Sequence, residues 1–167
     1  MKKTISLICI CLICNNILSQ SFDGGLLAGL TTSQISGDNL GGFNKLGIAI
    51  GIFTQRDISE KYKLKFELSY FQKGSKNNNL NLNLNSFKLD YIDAPFYFSY
   101  LVQQNTFIQF GFHTGFLLLQ KETDNFGSNV ELRDNFNAID FSTSLGIEYY
   151  VNNQISLNTK FSNTLFF

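Results

Sequence analysis

The side chains that could carry out chemistry in this sequence centre on His113, its one histidine. An inward-facing His113 beside Asp140 and either Ser142 or Ser144 would resemble the serine, histidine and carboxylate set of a hydrolase, in which the imidazole accepts the serine proton. A lone histidine on the polar face of a strand more often completes a hydrogen-bond network, and a catalytic group must be open to substrate. We therefore expect no enzymatic activity and no catalytic, cofactor-binding or metal-binding residue.

A larger group of polar side chains alternates with apolar residues in period two, the pattern of β-strands that have one polar and one apolar face. Charges of both signs occur on the polar face, and buried charges need partners to offset their desolvation. We expect these side chains to pair in a structural network inside the protein, without a cofactor. The predicted members of this lumen network are Lys63, Lys65, Glu67, Lys88, Asp90, Gln109, His113, Asp140, Glu148 and Lys160.

The alternation is clearest from Leu46 to Phe53, where leucine and isoleucine occupy one face and Gly47, Ala49 and Gly51 occupy the other. Glycine weakens a strand and is unusual on a solvated face, but it suits the crowded interior of a narrow barrel. The segments are also about 9–11 residues long or longer, as tilted membrane strands are. The pattern therefore favours an all-β fold, an antiparallel up-and-down transmembrane β-barrel of the eight-stranded type.

The predicted connections fall into two length classes, as the turns and loops at the two ends of an outer-membrane barrel do. The short turns are predicted at residues 55–61, 102–105 and 151–154. The long polar connections are predicted at residues 32–44, 74–79 and 121–135. With the N-terminus starting in the periplasm, every short turn then lies on the periplasmic side.

Only seven strands can be counted, whereas single-chain bacterial barrels have an even number. We expect an eighth strand to be missing through C-terminal truncation. The alternatives are that the segment from Leu80 to Val102 is wrongly taken as one strand, or that a partner closes the barrel. The alternation in that segment changes phase near Tyr91 and Ile92, which predicts a β-bulge and a bend there.

Residues 1–20 have the three parts of a secretory signal peptide: a cationic start at Lys2 and Lys3, an apolar run from Ile5 to Ile13, and a polar end. The apolar run is too short to span a bilayer. The three cysteines all lie in this segment, so residues 21–167, the predicted barrel domain, have no disulfide or thiolate site. Loss of the two lysines leaves 11 basic and 13 acidic side chains, a net charge of −2 that does not favour nucleic acid.

Several segments in order resemble the PorT-like outer-membrane β-barrel family of Bacteroidota, and the resemblance covers nearly all of residues 21–167. The segments are GGLLAGLTTSQISGD, FELSYFQKGSK, LDYIDAPFYFSY, GFHTGFLLL and FSTSLGIEYY. The resemblance implies an eight-stranded barrel in the bacterial outer membrane. One namesake member of that family takes part in protein secretion, but no motif in this chain singles out that role.

The sequence thus predicts an integral outer-membrane protein of the cell envelope, surrounded by lipid, with a closed polar lumen and a structural or interaction role. Its expected partners are outer-membrane lipid and an envelope or secretion-system protein. The alternative is a soluble periplasmic or secreted β-barrel that binds a small apolar ligand. The first interpretation places Ile48, Ile50, Phe110 and Phe141 against lipid, and the second places them inside.

Overall fold

A computed structural model of the chain describes residues 21–34, 45–76, 84–124 and 137–165, which form antiparallel strands joined in chain order. The strands are β1 (Asp23–Ser33), β2 (Lys45–Asp57), β3 (Tyr62–Lys76), β4 (Leu84–Gln103), β5 (Thr106–Asp124), β6 (Ile139–Tyr150) and β7 (Ser156–Thr164). Each strand pairs with its neighbours in the sequence, so the predicted seven-stranded up-and-down order is confirmed. None of the described residues belongs to a helix long and apolar enough to cross a membrane.

Three short turns lie at one end of the sheet, at the positions predicted from the sequence. In the β4–β5 turn, Asn105 has a φ of 65°, a left-handed conformation that asparagine tolerates better than most residues. In the β6–β7 turn, Asn152 Oδ1 accepts hydrogen bonds from the backbone N–H groups of Gln154 and Ile155, each at 2.8 Å. An asparagine that binds the following backbone in this way stabilises a tight turn.

The predicted signal peptide at residues 1–20 lies outside the described residues. So do most of the predicted long connections. The described strands next to them have these ends on the side of the sheet opposite the short turns. We refer to the two ends as the turn end and the loop end.

A register shift interrupts the pairing of β4 with β5 at the position where the sequence predicted a β-bulge. Asp90 pairs with Leu119 and Tyr91 pairs with Leu117, so the extra residue is Leu118. The predicted irregularity is confirmed near Tyr91, but the inserted residue lies on β5 and not on β4. Leu89, Asp90 and Tyr91 are buried in succession there, which ends the regular alternation of β4.

The sheet curls so strongly that side chains of distant strands touch. Three strands separate β3 from β7 in the sheet order. In a flat sheet, neighbouring strands about 4.8 Å apart would place these two about 19 Å apart. Lys160 Nζ on β7 nevertheless lies 2.7 Å from Glu67 Oε1 on β3. The sheet is therefore strongly curled, as a half-barrel, and we refer to the space inside its concave face as the lumen.

Glycine residues allow neighbouring strands and side chains to come close together on the inner face. At Gly51, an added Cβ atom would lie 2.7 Å from Ser69 Cα on the neighbouring strand. At Gly111, it would overlap the ring of Tyr97, which lies across the strand there. Contacts this short are not tolerated by real Cβ atoms, so the lumen is filled by the larger side chains of neighbouring strands. The glycines expected on the inner face are thus required by its crowding.

Candidate functional site in the lumen

Glu148 on β6 is the centre of a hydrogen-bond cluster at the turn end of the lumen. Its carboxylate pairs with Lys65 of β3 and accepts hydrogen bonds from Gln109 Nε2 at 2.7 Å and from Ser156 Oγ at 2.9 Å. Asn158 Nδ2 donates to Gln109 Oε1 at 2.8 Å, which extends the cluster to β7. Glu148 is 1% exposed and Lys65 is 3% exposed. Since both charges are buried, their mutual contact offsets the desolvation of each.

A second ion pair crosses the middle of the lumen. Lys160 Nζ on β7 donates to both carboxylate oxygens of Glu67 on β3, at 2.7 and 2.9 Å. The same ammonium group lies 3.9 Å from the ring centroid of Tyr97, a cation–π distance. Together with the Lys65–Glu148 pair, this contact ties β3 to β6 and β7. Paired side chains of opposite charge thus occupy the middle of the lumen.

The loop end of the lumen contains a third ion-pair group, which joins β3, β4 and β6. Lys73 Nζ lies 3.0 Å from Asp140 Oδ2 and 3.6 Å from Asp93 Oδ2. Thr164 Oγ1 of β7 also donates to Asp140 Oδ2 at 3.4 Å. Lys73 therefore holds two carboxylates that come from strands on either side of β5.

His113 lies between these groups and contacts side chains from its two neighbouring strands. Its Nε2 atom is 2.7 Å from Ser144 Oγ and 3.3 Å from the hydroxyl of Tyr97. The nearest carboxylate is that of Asp93, whose Oδ2 atom is 3.8 Å from His113 Nδ1, beyond hydrogen-bond distance. The hydrolase arrangement considered from the sequence used Asp140, which pairs with Lys73 instead.

The contacts of His113 therefore lack the serine, imidazole and carboxylate relay of a hydrolase. Ser144 is also only 3% exposed, so its hydroxyl is buried and not open to a substrate. The backbone groups of β6 around it are engaged in strand pairing. Tyr97, His113 and Ser144 can form hydrogen bonds with one another. We therefore assign them a structural role among the side chains that pack inside the lumen.

The remaining members of the predicted network lie at its ends. Lys63 pairs with Asp57 at 3.4 Å at the turn end, and its ammonium group is 4.5 Å from the ring centroid of Tyr150. Lys88 and Asp90 pair with each other at 3.1 Å at the loop end. Within the described part of the chain, no hydrogen bond or ion pair joins Lys88 and Asp90 to the other predicted members.

Two residues of the loop-end group, Lys73 and Asp93, were not among the sequence-predicted members. Lys73 continues the alternation of Lys63, Lys65 and Glu67 along β3, so this pattern could have identified it. Asp93 lies on the face of β4 opposite that of Ile92 and Ala94, so the alternation after the phase change could have identified it as well. Across the described residues, no group of three or more histidine, cysteine and carboxylate side chains is arranged to hold a metal ion.

The outward face of the sheet is apolar. Ile48, Ile50, Phe110 and Phe141 are between 41% and 50% exposed. A soluble barrel with an apolar ligand would bury these four residues in its interior. The structure instead places charged and polar side chains in the interior, and so does not favour that alternative.

Aromatic rings border the apolar face at the turn end. Tyr62 lies beside Tyr100, with ring centroids 5.2 Å apart, and both are exposed, as is Tyr149. Tyrosine in this position is typical of the aromatic girdles of outer-membrane barrels. The neighbouring Tyr150 points the other way, because its hydroxyl donates to Gln55 Oε1 at 3.0 Å on the inner side. An apolar outer face, an aromatic border and a charged interior are the features of a membrane-spanning barrel.

Comparison with known proteins agrees with this geometry. Residues 5–167 match the sequence model of the family described as outer membrane protein beta-barrel domain. No curated protein and no solved structure matches the chain significantly. The family points to a location in the bacterial outer membrane. Because the match covers nearly the whole sequence, the chain belongs to the outer membrane protein beta-barrel family.

Proposed function

We propose that this protein is a non-conducting outer-membrane barrel that binds a protein partner through the part of its sheet that projects beyond the lipid. A membrane-spanning strand needs about 9–11 residues when it is tilted by about 45°. β4 has 20 residues and β5 has 19. Both strands are therefore about twice as long as the bilayer requires.

The extra length lies at the loop end. The outward apolar residues of β4 occupy alternate positions from Ile92 to Tyr100, and the strand continues for eight residues beyond them, from Leu84 to Tyr91. β5 runs alongside it to Asp124. This projecting ribbon, residues 84–91 and 117–124, is the observation that carries the proposal, because a barrel needs no such extension merely to span the membrane.

The projecting ribbon has exposed apolar and charged side chains close together. Leu118 is 60% exposed and Leu119 is 46% exposed, and Lys121 is exposed next to them. A surface with apolar residues rimmed by charges is typical of protein-binding sites. With the N-terminus in the periplasm the ribbon faces the outside of the cell, and the partner that we propose is an envelope or secretion-system protein. We propose no enzymatic role and no nucleic-acid partner.

The proposal can be tested by conductance and crosslinking on the same protein. In a planar lipid bilayer, we expect the wild-type barrel to show no stable open-channel current, because paired side chains fill its lumen. In cells, a photo-reactive amino acid at Lys121 should give a discrete crosslinked protein product. The matched control places the same amino acid at the outward-facing Phe110, where crosslinks to lipid are expected.

Two results would contradict the proposal. A steady ohmic conductance of the wild type would show that the lumen conducts. Equal crosslinking patterns from positions 121 and 110 would show that the ribbon has no partner of its own.

A further inference from the structure

The seven-stranded sheet has two edges that pair with no other strand of the described residues. One is the outer edge of β1, and the other is the outer edge of β7. No Cα atom of β1 lies within 8 Å of a Cα atom of β7, whereas paired antiparallel strands are about 5 Å apart. We refer to the gap between these two edges as the seam.

The backbone of β7 directs polar groups into the seam. The N–H of Leu165 donates to Phe141 O, and the N–H of Val151 donates to Ile155 O, so both register pairs are of the hydrogen-bonded kind. The pairing of β6 with β7 between them has no register shift. The even-numbered residues from 156 to 164 therefore point their N–H and C=O groups away from β6. In lipid, backbone groups without a partner are costly, which is why spanning barrels are closed.

The directions of the edge strands show what can close the seam. Adjacent strands are antiparallel and their number is odd, so β1 and β7 both run from the turn end to the loop end. The edges of a second copy in the same membrane would run that way too. Pairing of β1 with β7, within one chain or between two copies, would therefore be parallel. One strand that runs from the loop end to the turn end would be antiparallel to both edges, as neighbouring strands of bacterial outer-membrane barrels are.

The curl of the sheet leaves space for one strand in the seam. Strands that lie directly opposite in a closed barrel are separated by half of its strands. Two contacts across the lumen join strands four positions apart, Lys160 of β7 with Glu67 of β3 and Tyr150 of β6 with Gln55 of β2. Eight positions therefore complete the circle, and the described strands occupy seven of them. A barrel built from two copies would be nearly twice as wide and would hold these side chains apart.

The lumen beside the seam has space for the side chains of such a strand. Gly29 of β1 faces inward, since it pairs with the buried Ala49. An added Cβ atom at Gly29 would have no atom within 4 Å, whereas at Gly51 it would overlap the neighbouring strand. On β7, Ser162 pairs with the buried Ser144 but is itself exposed. The inner face is thus crowded at Gly51 and open along the seam.

We propose that the seam binds one extended segment of another polypeptide as a β-strand, antiparallel to β1 and β7. The backbone groups of both edges bind this strand, as in other cases where a peptide adds to an exposed sheet edge. Its alternate side chains are apolar, because they continue the lipid-facing surface between Leu26 of β1 and Phe161 of β7. The side chains between them enter the lumen beside Gly29.

The connections between the described strands are too short to supply this strand. The longest, residues 125–136, has 12 residues, whereas crossing the membrane and returning needs about 18–22. The seam lies four strand positions from β4, on the opposite side of the circle. It is therefore separate from the projecting ribbon and from the partner proposed there.

A synthetic peptide with the sequence of residues 45–57 serves as the strand in a binding assay. In the protein this sequence, β2, alternates aliphatic residues with glycine and alanine and pairs antiparallel with β1. A photo-reactive amino acid replaces Ile50 of the peptide, which is titrated into the full chain folded in detergent. We expect saturable binding of one peptide per chain, with crosslinks to β1 and β7. A peptide of the same composition without the alternation should not bind.

Substitutions at Ser162 test the backbone of β7. Ser162→Pro removes an N–H group that points into the seam and leaves the pairing with β6 in place, so it should weaken peptide binding by about tenfold or more. Ser162→Ala is the matched control and should bind like the wild type. Heat-modifiable migration in a detergent gel shows that each variant has folded. If the proline variant fails to fold, a peptide N-methylated at alternate residues removes the same kind of hydrogen bond, and it should also bind about tenfold more weakly.

A photo-reactive amino acid at Leu26 or at Leu157 then identifies the natural strand in cells. We expect the same protein product from both positions, because one strand contacts both edges. A crosslink between β1 and β7 of one chain, a product of two copies, or no protein product would overturn the proposal. Absence of saturable peptide binding would also overturn it. So would equal binding of the peptide without alternation, crosslinks to β3 in place of β7, or unchanged binding to a folded Ser162→Pro variant.

Discussion

Replacing Glu148 with alanine is expected to destabilise the folded barrel by about 3–5 kcal/mol, the usual effect of removing one partner of a buried ion pair. The substitution leaves the ammonium group of Lys65 buried without its carboxylate and removes the acceptor of Gln109 and Ser156. The free energy of unfolding can be measured in detergent by urea titration. The folded and unfolded fractions are read from their different migration in unheated gels.

Two controls separate the buried charge from other effects. Asp57→Ala removes the partner of Lys63, but the Asp57 side chain is exposed to solvent. This substitution should lower the free energy of unfolding by less than about 1 kcal/mol. The double variant Lys65→Met/Glu148→Leu removes both buried charges. It should recover most of the lost stability, because burying an apolar pair carries no desolvation cost that a partner charge must offset. A cost below about 1 kcal/mol for Glu148→Ala would show that the lumen is open to water and not closed by ion pairs.

Placing lysine at Ile50 is the second substitution with a large expected effect. Ile50 is 50% exposed on the outward face, near the middle of β2. If that face contacts lipid, Ile50→Lys should destabilise the barrel by about 2–4 kcal/mol, the cost of lysine at the bilayer midplane. The unfolding titration should then be carried out in lipid vesicles.

Ile58→Lys is the matched control, since Ile58 is 51% exposed but lies in the β2–β3 turn. The cost of lysine falls to about 0–1 kcal/mol near the membrane interface. Equal and small effects of the two substitutions would place the outward face of β2 in water. That outcome would contradict a membrane position for the sheet.

The strands and their two faces could be predicted because alternation is a local property of the sequence. In β2, leucine and isoleucine alternate with Gly47, Ala49 and Gly51, and the structure places these two sets on opposite faces. The side chain of every second residue must point the same way in any strand. The short turns could be predicted for the same reason, because a turn depends on residues close together in the sequence. Asn105 adopts a left-handed backbone conformation, and Asn152 accepts a hydrogen bond from the backbone two residues later.

The partners inside the lumen could not be predicted, because they depend on how far the sheet curls. Glu67 contacts Lys160, which is 93 residues away in the sequence, and no local pattern specifies that pairing. The irregularity beside Tyr91 adds to the difficulty, because one inserted residue on β5 shifts the register of everything beyond it.

In a membrane-spanning barrel, the apolar outer face of the sheet lies against lipid. Spin labels attached to cysteine at positions 50, 110 and 141, in a chain whose native cysteines are replaced by serine, test it most directly. In lipid vesicles, these outward labels should collide often with oxygen and rarely with a water-soluble nickel chelate. A label at Gln104, in the exposed β4–β5 turn, should show the reverse. Outward labels as accessible to the chelate as the label at position 104, or shielded from both reagents, would contradict the membrane barrel.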